Sequence, residues 1–337
     1  MKRIFKYMTA VVAVFLIALV LSACAATNKN ESITIYSGRA EELVGPLIEQ
    51  FSSQTGIKVD VRYGGTPELA ATILEEGSNS PADIFYAQDP GGLGAIEHLF
   101  TDLPGDLTSK VDPLFKSSNN KWIGISGRAR VIVYNTERID ENELPDDIWD
   151  FINKEWEGRI GWAPSNASFQ TMVTAMSVLW GEEKASQWLE GINSNNPRSY
   201  DKNTAIVSAV GSGEIDVGFT NHYYLFRFLE EEGQAFAARN YYLRDGGPGS
   251  VVLVSGAGIL ETSKNSANAQ KFLEYMISED AQEYFANQTF EYPVIEGIDL
   301  HQMLKPLSEM AIPSISVSDL ADLEGTLKLL RDTGIVP

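Results

Sequence analysis

Residues 32–89 read SITIYSGRAEELVGPLIEQFSSQTGIKVDVRYGGTPELAATILEEGSNSPADIFYAQD, and three short apolar runs in this stretch decide the fold. Ile33-Thr34-Ile35-Tyr36, Ile57-Lys58-Val59-Asp60-Val61 and Asp83-Ile84-Phe85-Tyr86 have the length and the β-branched or aromatic content of strands. Between the first two, Leu43, Leu47, Ile48 and Phe51 fall at helical spacing as far as Thr55-Gly56, with Pro46 placed near the first turn or at a bend. Between the second and third, Pro67 to Glu76 forms another helix, stopped by Gly77. Strand, helix, strand, helix, strand is the order of a mostly parallel α/β sheet. Ligands of such sheets collect beyond the carboxyl ends of the strands, so Ser37-Gly38-Arg39, Tyr63-Gly64-Gly65-Thr66 and Ala87-Gln88-Asp89 are the first binding loops to consider.

Further along, Trp122 to Tyr134 is a long apolar stretch interrupted by Arg128 and Arg130. Beyond it, Arg159-Ile160-Gly161-Trp162 and Ile215 to Phe219 read as strands of a second sheet, separated by helical segments from Phe169 to Trp180 and from Thr204 to Gly211. The later strand runs straight into Asn221-His222-Tyr223-Tyr224. Ser250 to Leu260 is strand-like again and is expected to return the chain to the first sheet, followed by a helix with Ala269, Phe272, Leu273, Met276 and Ile277 on one face. The expectation is an α/β protein of two lobes, with two mixed sheets flanked by helices, joined by two hinge strands with a cleft between. Residues 32–127 and 255–306 form the first lobe, and 128–254 and 307–337 the second. Hinge closure over a ligand suits that layout.

The first residues carry Lys2, Arg3 and Lys6 ahead of an apolar run from Val11 to Val20, the charge and length of a secretory signal occupying residues 1–23. Leu21-Ser22-Ala23-Cys24 resembles the bacterial lipobox, which makes Cys24 a lipidated mature N-terminus and residues 24–31 a small, polar tether. The exported chain is then held on the outer face of the cell membrane or in the periplasm. Cys24 is the only cysteine, so no intrachain disulfide forms and core burial alone must stabilise the fold. A net charge of −20 argues against nucleic acid as a partner. Acidity suits a cationic ligand, and it also serves solubility.

Catalytic patterns are absent. The sequence has no Gly-x-Ser-x-Gly elbow and no phosphate loop, and Gly256-Ala257-Gly258 lacks the third glycine of a dinucleotide fingerprint. His98, His222 and His301 are too far apart for a local zinc motif. The unusual feature is Tyr223-Tyr224 at a strand end. Two half-buried aromatics are the plain reading, but adjacent phenols also make hard anionic donors once a highly charged cation displaces their protons.

Several segments together resemble the ferric-ion-binding proteins of bacterial iron importers, in the periplasmic-binding-protein type II superfamily. They are Tyr36-Ser37-Gly38-Arg39, Pro81-Ala82-Asp83-Ile84-Phe85-Tyr86, Ser126-Gly127-Arg128-Ala129-Arg130-Val131, Asn221-His222-Tyr223-Tyr224, the helix from Lys264 to Phe272 and Glu291-Tyr292-Pro293. The similarity covers nearly the whole mature chain. It implies a monomeric, non-catalytic receptor that coordinates Fe(III) through Tyr223 and Tyr224 and delivers it to an ABC permease with a cytoplasmic ATPase. One branch of the family adds a histidine and a glutamate, where Ala40 and Gln88 stand here, and another adds a tyrosine, where Trp162 stands. Tyr63, in a cleft loop, is a third phenolate or a packing residue.

With so few protein ligands, the resemblance implies a synergistic anion, carbonate first. It assigns that anion to Arg128, with Arg39 added as a cleft-loop guanidinium suited to bidentate contacts, against the alternative that both arginines form interlobe salt bridges. Ser165-Asn166-Ala167-Ser168 precedes a helix and offers hydroxyls and N–H groups to the same anion. Asn203 and Asn221 match polar cleft positions, and His222 is expected to hydrogen-bond a tyrosine rather than to bind metal. The rival binding reading is a receptor for an organic anion or iron chelate held mainly by the cleft arginines. A secreted enzyme or a structural surface protein is the remaining rival.

Overall fold

The computed structural model describes residues 32–337; the signal segment, Cys24 and the tether lie outside the described residues. In chain order, β1 (Ser32–Ser37), α1 (Glu41–Thr55), β2 (Lys58–Tyr63), α2 (Thr66–Glu76), β3 (Ile84–Ala87), α3 (Pro90–Ala95) and α4 (Gly105–Thr108) lead to the long strand β4 (Ile123–Asn135). Then come β5 (Ile160–Trp162), α5 (Ala167–Trp180), α6 (Glu182–Ser194), β6 (Arg198–Ser199), α7 (Asn203–Gly211), β7 (Val217–Asn221), α8 (Tyr223–Glu232) and β8 (Ala238–Tyr241). Last are β9 (Val252–Ile259), α9 (Ser266–Met276), α10 (Glu279–Gln288) and α11 (Leu323–Asp332). The expected alternation of strands and helices is present.

β1 pairs in parallel with β2 and β3, while β9 runs antiparallel to β3 and β4. β4 is one buried strand of 13 residues. Its first half pairs with β9, and its second half with β7 and β8. The two expected mixed sheets therefore share β4, and among the described residues they join into one hydrogen-bonded path, β2-β1-β3-β9-β4-β7-β5-β6, with β8 on β4. Of the expected lobe divisions, 127/128 and 254/255 fall inside β4 and β9, and 306/307 lies between α10 and α11.

Where these two strands begin to pair, Gly124 lies opposite Gly256, and the register shifts before Ser126. The glycines are needed for close approach: a Cβ on Gly124 would stand 2.3 Å from the Phe115 carbonyl oxygen and 2.6 Å from the Val254 side chain. No real Cβ tolerates such contacts, so the crossing excludes side chains at this point.

Apolar side chains separate into a core around Ile35, Val44, Phe51, Phe85 and Phe272, and another around Met172, Trp188, Leu189 and Phe219. A smaller cluster holds Ile206, Val210 and Leu225. Two details cross this division. Tyr223 and Phe226 of α8 pack into the first core although α8 follows β7 of the second sheet. The C-terminal segment places Val317 in the first core and Leu320 and Leu330 in the second, while α11 packs against both α3 and α5.

Candidate functional site

The three loops after β1, β2 and β3 meet the turns before α5 and α7 and the start of α8 around an open cleft of about 500 Å³. Arg39, Tyr63 and Gln88 line it from one side, and Ser165, Asn166, Ala167 and Tyr224 from the other. Residues separated by more than a hundred positions thus converge because parallel strands all deliver their chain ends to one edge of the sheet. Arg128, Ser168, Asn203, Asn221, His222 and Tyr223 are buried beneath this surface.

The tyrosine pair is not a strand end. β7 stops at Asn221, His222 already has helical dihedrals (φ −58°, ψ −39°), and Tyr223 opens α8. That helical start stacks the two rings, with centroids 4.1 Å apart and planes 29° from parallel. Tyr223 is fully buried, whereas Tyr224 is partly exposed to the cleft. The Arg39 guanidinium lies 6.0 Å from the Tyr223 ring centroid. Burial first, then the neighbouring Tyr224, pushes the Tyr223 phenol well above its ordinary pKa of 10, while Arg39 and Arg128 pull it back. The Tyr223 hydroxyl has no hydrogen-bond partner among the described residues. An orphaned buried hydroxyl costs on the order of 1–3 kcal/mol and calls for an explanation such as a ligand.

Tyr63 sits at the carboxyl end of β2 and faces the cleft half-buried. Burial, with Glu41 and Glu49 adding repulsion, pushes its phenol up to about 12. Its place on the cleft wall suits either a third phenolate or a rim contact.

The arginines behind the cleft make an unusual group. Arg39 forms a fully buried ion pair with Glu291, whose carboxylate also accepts from the Ser126 hydroxyl, and Ser126 in turn contacts the Ser255 hydroxyl at 2.7 Å. Arg39 is therefore ion-paired, but not across the lobes as its alternative reading had it: Arg39 and Glu291 both fall within the residue ranges expected for the first lobe. Burial alone would lower the Arg39 pKa, and Glu291 and the nearby tyrosines outweigh it and raise it. Arg128 has no carboxylate partner among the described residues and donates to the Gln88 carbonyl oxygen. Burial, with Arg39 adding repulsion, lowers its pKa. Arg130, which the sequence reading passed over as a site residue, donates to Asn221 Oδ1 at 3.0 Å. Two residues on from Arg128 along one strand, it belongs to the same face, which is the signal that could have flagged it. Burial pushes Arg130 down to about 9, so it remains charged at neutral pH. Nε of Arg39, Nε and Nη1 of Arg128, and Nε and Nη2 of Arg130 lack partners among the described residues. These five unsatisfied guanidinium nitrogens lie buried behind the cleft wall and call for a partner such as an anion.

The turn before α5 is a helix cap, as its sequence suggests. Asn166 Oδ1 accepts from the Ser168 amide at 3.0 Å and from Asn203 Nδ2 at 3.3 Å. Ser168 is turned inward, its hydroxyl accepting from Gln88 Nε2 at 2.9 Å and from Asn221 Nδ2 at 3.1 Å. Gln88 thereby reaches across the cleft. His222 does not hydrogen-bond a tyrosine: Nδ1 accepts from the Ala129 amide at 3.1 Å, and Nε2 lies 2.8 Å from the Phe290 carbonyl oxygen. With helical dihedrals at His222, the ring points back between β4 and the Phe290 backbone rather than toward a tyrosine hydroxyl. It meets Tyr223 only edge-on, at 5.9 Å. Among the described residues, no group of three or more His, Cys, Asp or Glu side chains is arranged to hold a metal.

A two-lobed α/β scaffold with loops and orphaned donors around a central cleft defines the class of extracytoplasmic solute receptors. More particularly, this chain belongs to the bacterial extracellular solute-binding protein family, matched over residues 46–311. It is 32% identical to the Fe(3+)-binding periplasmic protein of Serratia marcescens, over 92% of this chain and 93% of that protein. It superposes on iron-bound HitA from Pseudomonas aeruginosa with a TM-score of 0.86 and 35% identity, covering 90% of this chain and 99% of that one. The Trichodesmium IdiA (FutA) structure, a complex with iron and citrate, matches with a TM-score of 0.77 and 31% identity over 90% and 99% of the two chains.

Proposed function

We propose that this protein is an extracytoplasmic receptor that captures ferric iron in the cleft and hands it to an ABC permease with a cytoplasmic ATPase. Tyr223 and Tyr224 supply two phenolates and Tyr63 a third. A synergistic anion, carbonate in the simplest case, completes the coordination shell. Arg128 and Arg39 hold that anion together with the turn from Ser165 to Ser168, while Gln88, Asn203 and Asn221 fix the surrounding polar network. The mature receptor is a monomer tethered through lipid on Cys24, and its two lobes divide at residues 127/128, 254/255 and 306/307.

The observation that carries this reading is the orphaned Tyr223 hydroxyl, stacked on Tyr224 beside unsatisfied guanidinium groups. Burial holds the Tyr223 phenol well above its ordinary pKa, so a ligand that recruits it as a phenolate must be able to displace its proton. A trivalent hard cation does this, as bound metals do to water and thiols. The iron-binding names of the relatives agree with it.

Loading with ferric iron and bicarbonate should produce a visible phenolate-to-iron charge-transfer band. Tyr223→Phe or Tyr224→Phe should each weaken iron retention by more than the roughly 10–100-fold typical of losing an outer hydrogen-bond partner of a metal ligand, and by more than Tyr63→Phe does. A colourless protein that retains no iron would sink the proposal. Equal retention by all three variants would remove the tyrosine pair from the site. A second reading, in which an organic anion or iron chelate is the cargo, is favoured by one observation, the citrate bound with iron in the Trichodesmium neighbour.

A further inference from the structure

Just beyond α10, three consecutive residues reach three different parts of the site. Phe290 puts its carbonyl oxygen 2.8 Å from Nε2 of His222, the residue that precedes the tyrosine pair. Glu291 takes the Arg39 guanidinium on one carboxylate oxygen and the Ser126 hydroxyl on the other. Tyr292 exchanges two backbone hydrogen bonds with Gly127 of β4, at 2.7 and 2.8 Å, beside the expected lobe division. Its ring also lies against His222, with centroids 4.8 Å apart. The backbone is bent to make this reach: Phe290 has φ +56°, in the left-handed region, although it is a fully buried residue other than glycine. Such a conformation persists only where its surroundings over-determine it, and it is commonest near functional sites. Gln282 of α10 braces the turn, accepting from the Val294 amide and donating to the Ile125 carbonyl oxygen, both at 2.8 Å.

Glu291 is fully buried and is not one of the residues that line the cleft, whereas Arg39 is. Any effect of this carboxylate on cargo therefore passes through Arg39, whose guanidinium it holds 6.0 Å from the Tyr223 ring centroid. We propose that Glu291 is a positioning residue for capture: it fixes Arg39 beside Tyr223 before cargo arrives, so that the synergistic anion meets a guanidinium already in place. This rests on the tyrosine and anion reading above and adds a residue to it. An unheld arginine has a large rotamer entropy to lose on ordering, and a buried ion pair removes that cost from the binding step.

The test loads iron-free protein with ferric chloride over a range of bicarbonate concentrations. Bound iron and the phenolate band report loading, and urea unfolding of the iron-free protein is followed in parallel. Glu291→Gln keeps the shape of the side chain and removes its charge. It should raise the bicarbonate needed for half-loading by about 10-fold, the size of one misplaced charge-assisted contact, while saturating bicarbonate still gives full loading. Arg39→Met should weaken the bicarbonate dependence at least as much. Arg39→Met combined with Glu291→Met replaces the whole buried pair by apolar side chains, a change that folds tolerate. The combination should load no worse than Arg39→Met alone, because Glu291 acts only through Arg39. That comparison decides the matter by itself if Glu291→Gln does not fold. Unchanged half-loading in Glu291→Gln with only a lowered urea midpoint, tighter loading, or losses that add in the double variant each overturn the proposal. Absence of the band from wild type at every bicarbonate concentration overturns the tyrosine reading instead.

Discussion

At His222, both ring nitrogens are engaged by backbone groups, one accepting and one donating, which is the pattern of a neutral imidazole. Burial pushes its pKa down to about 3, from an ordinary value near 6.5. Between those values the unfolded chain binds a proton that the folded chain refuses, so the stability contribution is present above pH 6.5 and lost as pH falls toward 3. The slope reaches about 1.4 kcal/mol per pH unit. In the iron-free protein, His222→Gln should flatten the pH dependence of stability in this window by about one proton, measured by urea unfolding at a series of pH values. An unchanged slope would mean that the imidazole is not held neutral. Single residues were unevenly legible in the sequence. Tyr223, Arg39 and the Asn166 cap could be found from loop position and local pattern. The Arg39 partner could not, because Glu291 lies 252 residues away and no spacing rule connects them.

Among the elements, β4 was the hardest to read. Its sequence shows apolar residues broken by two arginines, and strand alternation blurs when both faces of a strand are covered. That blurring hid the single strand shared by the two sheets. The helical start at His222 was hidden for a related reason, since a strand passing straight into a helix leaves no turn residues between them. The glycine pair where β4 crosses β9 gives a sharp test. Gly124→Ala should destabilise the protein by about 1–3 kcal/mol, the usual cost of forcing extra volume into a packed site. A shift in the urea midpoint with an unchanged slope would show it, whereas no shift would mean that Phe115 and Val254 yield freely.

For the whole molecule, the position of the cleft follows from the early βαβαβ unit, which is why the binding loops were legible in the sequence. The continuity between lobes was not, because it depends on strands pairing across more than a hundred residues. With β4 and β9 running through both halves and α11 packed on α3 and α5, the two lobes should unfold together. Calorimetry of the iron-free protein should give one transition with matching calorimetric and van't Hoff enthalpies. Two resolved transitions would show that the lobes are thermodynamically separate. The lodging of Tyr223 and Phe226 in the opposite core adds a kinetic consequence. Parting the lobes along the cleft must wet both rings, at about 1.5–3 kcal/mol for a Phe-sized side chain. That cost falls on every opening, so this packing lengthens the residence time of whatever is enclosed and also slows entry into the closed form.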